Sequence, residues 1–306
     1  MSDPLSEVVQ LLRPRAVLAN MITGRGNWAV RYSEFGLPSF CIMLKGSCVL
    51  SVRGNDPITI TAGDFVLLPT TPAFMISSLV PAPPVQMDPR QVAGRQSELR
   101  YGDRRGRPDM RSLGGSFQFD CNDPSLLVSL LPPVVHVRGS QRLSQLVTMV
   151  GEESIDEQPG GDFMRSRLVE LLLVEAMRAA AKGTAPAGLL CGLGDERLSR
   201  ALRQMHAHID RDWSVPQLAK LAALSRSAFF ERFAHTVGVA PMAYLLAWRM
   251  EVAKDLLARE GLAVSVVADR VGYGSGSAFS IAFHRHVGTP PSHYARSPGV
   301  ALSKPT

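Results

Sequence analysis

The sequence predicts a two-domain α+β chain, β-rich at its N-terminus and wholly helical at its C-terminus. Three observations predict it. Short β-type runs punctuated by Gly, Pro, Asn and Asp fill residues 28–78. Apolar periodicity becomes helical after His136, and a nine-residue pattern beginning at Ser225 recurs at Ser275. At roughly 100–200 residues per domain, 306 residues suit two cores. The expected division is an N-terminal domain over 1–183, a linker over 184–194 and a C-terminal domain over 195–306.

Composition narrows the function classes. With 45% hydrophobic and 20% charged residues, the chain is not of the disordered, solvating kind. It contains no run of 18 apolar residues, and its first residues lack the basic-then-apolar order of a signal peptide, so a cytoplasmic protein is expected. Four cysteines (Cys41, Cys48, Cys121, Cys191) form neither a disulfide framework nor zinc-finger spacing. Charge is unevenly divided. Residues 1–194 hold 19 basic against 18 acidic side chains, whereas residues 195–306 hold 14 against 9. A basic excess in the last third suits a polyanionic partner; a solubilising surface is the other reading.

In the first domain, residues 39–44 and 47–53 are β-type runs joined by Lys45-Gly46, which reads as a hairpin. A turn cluster at 54–57, a run over 57–62, the Gly63-Asp64 turn and a run over 65–68 follow, predicting an antiparallel sandwich or barrel. Residues 80–112 carry prolines 81, 83, 84, 89 and 108 and arginines 90, 95, 100, 104, 105 and 107, and read as a long inserted loop. Arg104-Arg105 could grip an anion, but a solvated loop is the preferred reading. Strand character returns over 111–120. Leu143, Leu146, Val147 and Val150 then define one face of a helix. A second helix from Asp162 to about Lys182 is apolar around much of its circumference. One side is expected to pack on the β domain; the other needs a partner or is buried within the subunit. The small residues of 183–188 mark the boundary.

Phe40-Cys41-Ile42-Met43-Leu44-Lys45-Gly46 and Ala62-Gly63-Asp64-Phe65-Val66-Leu67-Leu68-Pro69 resemble the small cupin barrel that serves as a sensor in many bacterial regulators. The resemblance implies a cupin-like β-barrel followed by a helical dimerisation segment. Metal-binding cupins commonly place histidines where Cys41 and Phe74 stand here, and His136 is the one histidine before residue 200. No metal or cofactor, and hence no cupin enzyme, is expected. Along the first of these strands Phe40, Ile42 and Leu44 alternate with Cys41 and Met43. If the second set faces the cavity, Cys41, Met43 and Phe74 line an effector pocket. Cys41 and Cys48 then lie across the hairpin, as buried thiols in preference to a sensing disulfide.

The last third reads as seven helices. Ser214, Pro216 and Gln217 begin a short helix, and a new one starts at Ser225 with Phe229 and Phe233 at i, i+4. A short helix, a tight turn and a second helix with a polar N-terminus is a helix-turn-helix unit. Residues 263–272 and 275–283 repeat it, and both copies of Ser-x-Ser-Ala-Phe-x-x-x-Phe end at a glycine five residues on (Gly238, Gly288). The phenylalanines are expected in the core. Between the copies, residues 244–259 form an amphipathic helix able to hold the units one DNA turn apart, about 34 Å.

Residues 198–296 resemble the double helix-turn-helix domain of the AraC/XylS transcription regulators, through Leu218, Ala219, Phe229, Phe233, Gly238, Pro241, Tyr244, Arg249, Leu256, Ala268, Gly272, Phe279, Phe283, Gly288, Pro290 and Tyr294 among others. This resemblance implies that Arg226, Ser227, Phe230 and Glu231 face the groove from the first unit, and Ser275, Gly276, Ser277, Ser280 and Ile281 from the second. Ile281 and Gly276 stand where longer polar residues are frequent. The second unit is therefore expected to read few bases and to rest Arg285, with His284, near phosphates. A zinc site at His284, His286 and His293 is the weaker reading. The expected partners are double-stranded promoter DNA, an unknown small-molecule effector, RNA polymerase and a second copy of the chain, with no membrane. A DNA-tethered cupin enzyme and a nonspecific architectural DNA binder are the alternatives.

Overall fold

The computed structural model describes residues 3–92, 98–119, 131–153, 159–181 and 188–296. Residues 184–187 of the expected linker, Cys121 and Arg95 lie outside these residues. The described chain forms two compact units, one built from residues 14–118 and 131–181 and the other from 3–13 and 188–296.

The first unit is built on two sheets. β1 (Pro14–Arg25), β3 (Ser39–Lys45), β6 (Phe65–Leu68), β9 (Leu99–Gly102), β10 (Met110–Phe119) and β11 (Val135–Val137) form a six-stranded sheet in the order β11-β6-β3-β10-β1-β9. β2 (Ala29–Tyr32), β4 (Ser47–Val52), β5 (Ile58–Thr61), β7 (Phe74–Ser77) and β8 (Val85–Met87) form the other, ordered β5-β4-β7-β2-β8. Period-two alternation dictates the packing: on β4, Cys48, Leu50 and Val52 are buried while their neighbours are half-buried. These side chains meet Met43, Val66, Leu68 and Tyr101 of the six-stranded sheet in one core, as in a sandwich.

Two expectations are corrected. Residues 39–44 and 47–53 are not a hairpin, because β3 pairs with β6 and β10, whereas β4 pairs with β5 and β7. Gly46, at φ +75°, crosses between sheets, and a Cβ there would lie 2.3 Å from the Asp109 carbonyl oxygen. The two strands bury one face each in a shared core, and that leaves the same alternation as a hairpin would. Residues 80–112 are also more than a loop. β8 and β9 pair in parallel with β2 and β1, and a short helix, α2 (Pro89–Val92), lies between them. The arginines brace this segment: Arg100 Nη2 donates to the Gly106 carbonyl at 2.7 Å and Arg25 Nη1 to that of Arg107 at 3.1 Å.

The Gly63-Asp64 turn forms as read. Gly63 has φ +91°, and buried Asp64 accepts from the Thr61 amide at 2.9 Å. The same carboxylate oxygen lies 3.1 Å from His136 Nε2, which ties the first unit's histidine to the turn. α3 (Gln141–Glu153) and α4 (Gly161–Ala180) pack together beside the six-stranded sheet. α4 buries Leu168, Leu172, Leu173, Ala176 and Met177, and leaves Phe163 and Leu171 more than half exposed.

The second unit is helical. It contains α1 (Pro4–Leu12), α5 (Leu189–Gly194), α6 (Glu196–Ala207), α7 (Val215–Leu221), α8 (Arg226–Val237), α9 (Pro241–Ala258), α10 (Val264–Arg270), α11 (Gly276–Val287) and α12 (Pro291–Arg296). This grouping departs from the expected boundaries at two places. α5 lies in the stretch read as linker, yet Leu189 and Leu190 are buried, and a Cβ on Gly192 would lie 2.7 Å from Val237. α1, counted with the β domain from the sequence, docks on the C-terminal helices through buried Leu5, Val8 and Leu12.

A polar chain fixes α1 there. Tyr244 Oη lies 2.6 Å from His206 Nε2, and His206 Nδ1 lies 2.8 Å from a Glu7 carboxylate oxygen. A neutral imidazole satisfies both contacts, accepting from the tyrosine and donating to the carboxylate. Burial lowers the His206 pKa and outweighs the opposing pull of Glu7. The folded unit therefore binds this proton less readily than the unfolded chain. Its contribution to stability is complete above the unfolded value near 6.5 and is lost as pH falls toward the folded value. Urea unfolding followed by the helical circular-dichroism signal should show lower stability at pH 5.5 than at 7.5, and His206→Gln should flatten that difference.

Candidate nucleic-acid interface and effector cavity

Each helix-turn-helix is assembled by local chemistry. Ser214 and Gln217 form a reciprocal capping box at α7. Ser225 Oγ accepts from the Ala228 amide at 3.2 Å, and Ser275 Oγ from the Ala278 amide at the same distance, starting α8 and α11. Both helices end at a left-handed glycine, Gly238 at φ +88° and Gly288 at φ +84°.

The turns match as well. The Leu224 amide donates to the Ala219 carbonyl at 3.0 Å, and the Tyr273 amide to that of Ala268 at 2.8 Å. The preceding residue is left-handed in both, Ala223 at φ +51° and Gly272 at φ +79°. The second turn is one residue longer, since Gly274 intervenes before the capping Ser275.

Burial separates scaffold from exposed face. Phe229, Phe233, Phe279 and Phe283 are fully buried, their paired rings 5.6 Å and 5.4 Å apart. With those positions turned inward, Arg226, Ser227, Phe230 and Glu231 are exposed on α8. Among the described residues Arg226 and Glu231 have no ion-pair partner. Arg232 does: Asp195 binds its Nη2 at 2.6 Å and its Nε at 2.7 Å. Asp195 also caps α6; burial raises its pKa, but the Leu198 amide and Arg232 outweigh this and lower it. Arg232 is thus a brace, a distinction that needs the fold.

On α11, Ser277, Ile281 and Arg285 and the capping Ser275 are exposed, with Ile281 70% accessible. Gly276 and Ser280 are half-buried, and the Ser280 hydroxyl donates to the Gly276 carbonyl at 2.7 Å. α9, 18 residues and about 27 Å long at ~1.5 Å per residue, joins the two halves. Its Met250, Ala253, Leu256 and Leu257 share a core with Val267, Val271, Phe279 and Phe283.

In the β unit a cavity of about 160 Å³ opens between the sheets. Cys41 and Phe74 line it, together with Cys48, Tyr32, Phe35 and Phe40. Met43 does not. It is fully buried in the core, because β3 buries both faces (Ile42 is also 0% exposed) and alternation alone selects no pocket side. Cys48, on the sheet opposite Cys41, was missed as a lining residue through the hairpin assignment. Burial pushes the Cys41 thiol up to about 11 against a Ser112 hydrogen bond, and burial also raises that of Cys48. Among the described residues, no three His, Cys, Asp or Glu side chains come together as a metal site requires, and no helix is long and apolar enough to cross a membrane.

Comparison with known proteins finds a match in each half of the chain. Residues 3–182 match a cupin family model and residues 218–297 a helix-turn-helix domain model. An AraC-like transcription regulator of Streptomyces lividans is 33% identical over 303 residues, covering 97% of this chain and 99% of that protein. The chain belongs to the AraC/XylS family of transcription regulators. The RCS-specific transcriptional activator RclR of Escherichia coli is 26% identical, covering 95% of this chain and 96% of its own length. Among solved structures, a regulator with an AraC-type DNA-binding domain from Chromobacterium violaceum is 24% identical, covering 34% of this chain and 94% of its own, with a TM-score of 0.32. The chain is thus a DNA-binding AraC-family regulator with a cupin-like N-terminal region.

The left-handed turn residues give a stability test. An L-residue there costs about 1–2 kcal/mol, a cost glycine avoids. Ala223→Gly should therefore stabilise the helical unit by up to about 1 kcal/mol in urea unfolding, entropy reducing the gain. Gly272→Ala should destabilise it by more, since the added Cβ would lie 2.3 Å from the Asp210 carbonyl oxygen.

Proposed function

We propose that the chain is a sequence-specific transcription activator. α8 and α11 enter successive major-groove segments, and a signal received in the cupin-like barrel controls that binding. The observation that carries this reading is the doubled exposed face, mounted in each unit on a buried phenylalanine pair. Arg226 suits a guanine or a phosphate, Ser227 and Glu231 suit base edges, and Phe230 suits a thymine methyl. On α11, Ser275, Gly276, Ser277, Ser280 and Ile281 approach the groove closely, with Arg285 near phosphates. The activator role draws on the name of the Escherichia coli relative. RNA polymerase is the corresponding protein partner. Dimerisation draws on exposed Phe163 and Leu171, which lie on α4 opposite its buried face.

A small molecule is favoured over a redox signal. Cys41 and Cys48 both line the cavity, but thiols with raised pKa values stay protonated at neutral pH and are poor nucleophiles.

The test is affinity for a selected duplex against a scrambled one, at fixed salt. A bidentate base contact contributes about 1–3 kcal/mol of discrimination, or roughly 5- to 150-fold. Arg226→Ala should reduce the specific-to-nonspecific ratio within that range, and Glu231→Ala should relax preference at one base pair. Ratios unchanged in both variants would refute the assignment of α8.

A further inference from the structure

We infer that the cavity between the sheets takes a neutral aromatic molecule of about the size of benzene or toluene, held without any charged group. This rests on the reading of the chain as a regulator whose N-terminal region receives a small molecule.

Size is the first argument. The cavity measures about 160 Å³, and a dry apolar cavity of about 150 Å³ admits benzene. The walls supply the second argument. Tyr32 and Phe74 stack with ring centroids 4.8 Å apart, and Phe35 and Phe40 add two further rings to the lining. Cys41 and Cys48 contribute sulfur from the opposing sheets, and sulfur packs favourably at the edge of an aromatic ring.

Charge is the third argument. Among the described residues, no Asp, Glu, Lys, Arg or His lines the cavity. The Arg90 guanidinium sits 6.0 Å from the centroid of Phe35, but it is exposed and outside the lining. A carboxylate inside would lose its water and meet no counter-charge. The Tyr32, Ser39 and Thr71 hydroxyls of the lining are engaged within the protein. Tyr32 bonds Tyr101, and Thr71 lies 2.7 Å from Ser39 Oγ and 3.2 Å from the Leu68 carbonyl. A polyol would therefore leave most of its hydroxyls unpaired.

The test uses the full chain, with toluene as the probe and benzoate as its anionic counterpart, in calorimetry and thermal unfolding. Toluene should bind one per chain and raise the Tm, with benzoate at least a hundredfold weaker. Ser116→Phe fills the half-buried edge of the lining from β10, and Cys48→Leu fills it from β4. Each should weaken toluene binding at least tenfold in protein that keeps its circular-dichroism spectrum; two variants guard against misfolding of one. Benzoate binding as tight as toluene, no toluene binding to the wild-type chain, or toluene binding untouched by both variants would overturn the inference. Affinity for the selected duplex is measured on the same preparations. Its persistence without toluene binding would refute the ligand class alone, and its absence would refute the regulator reading.

Discussion

Two phenylalanines one helical turn apart, buried completely and used twice, are the constraint on which the exposed faces of α8 and α11 depend. Phe229 with Phe233 and Phe279 with Phe283 fix the rotation of α8 and α11 about their own axes. Removing one such ring from a core costs about 3–5 kcal/mol, so alternative rotations that would bring Arg226 or Ile281 inward are heavily disfavoured. The serine caps and the left-handed glycines set where each helix starts and stops. The phenylalanines set which way it faces. α9 meets the first pair through Tyr244, whose ring lies 5.8 Å from that of Phe233, and carries the second in its own core through Met250, Ala253 and Leu257, so both exposed faces are mounted on one helix.

The β unit works by a different rule. Gly46 sends the chain from one sheet to the other where a hairpin would have kept it in the same sheet. Cys41 and Cys48 consequently reach one cavity from opposing sheets. Asp64 bonds the Thr61 amide and lies against His136, which fixes the turn leading into β6. The lone histidine of this unit is thereby part of the scaffold, and the described cavity lining is carbon, sulfur, hydroxyl and the Asn20 amide.

The helical unit was legible in the sequence because its signals are local. Caps, terminal glycines and an i, i+4 aromatic pair all lie within nine to fourteen residues, and their repetition supplied a check. The β unit was legible as alternation but not as pairing. Nothing near Lys45-Gly46 distinguishes a hairpin from a crossover, since both bury alternate residues. The strands within 80–112 were hidden by proline and arginine, although Arg25 and Arg100 turn out to brace carbonyls there. α1 was missed because its partners, His206 and Asp255, lie about two hundred residues away or more. Arg232 and Arg226 look equivalent in sequence, and only the position of Asp195 separates brace from free cation.

The central claim is that one chain presents two reading helices at a fixed separation. Hydroxyl-radical and methylation footprinting of the full chain on its selected duplex tests it most directly. The account predicts two protected major-groove patches on one face of the DNA, about 10 base pairs apart centre to centre. A single protected patch per chain, or two patches whose separation varies from site to site, would contradict it.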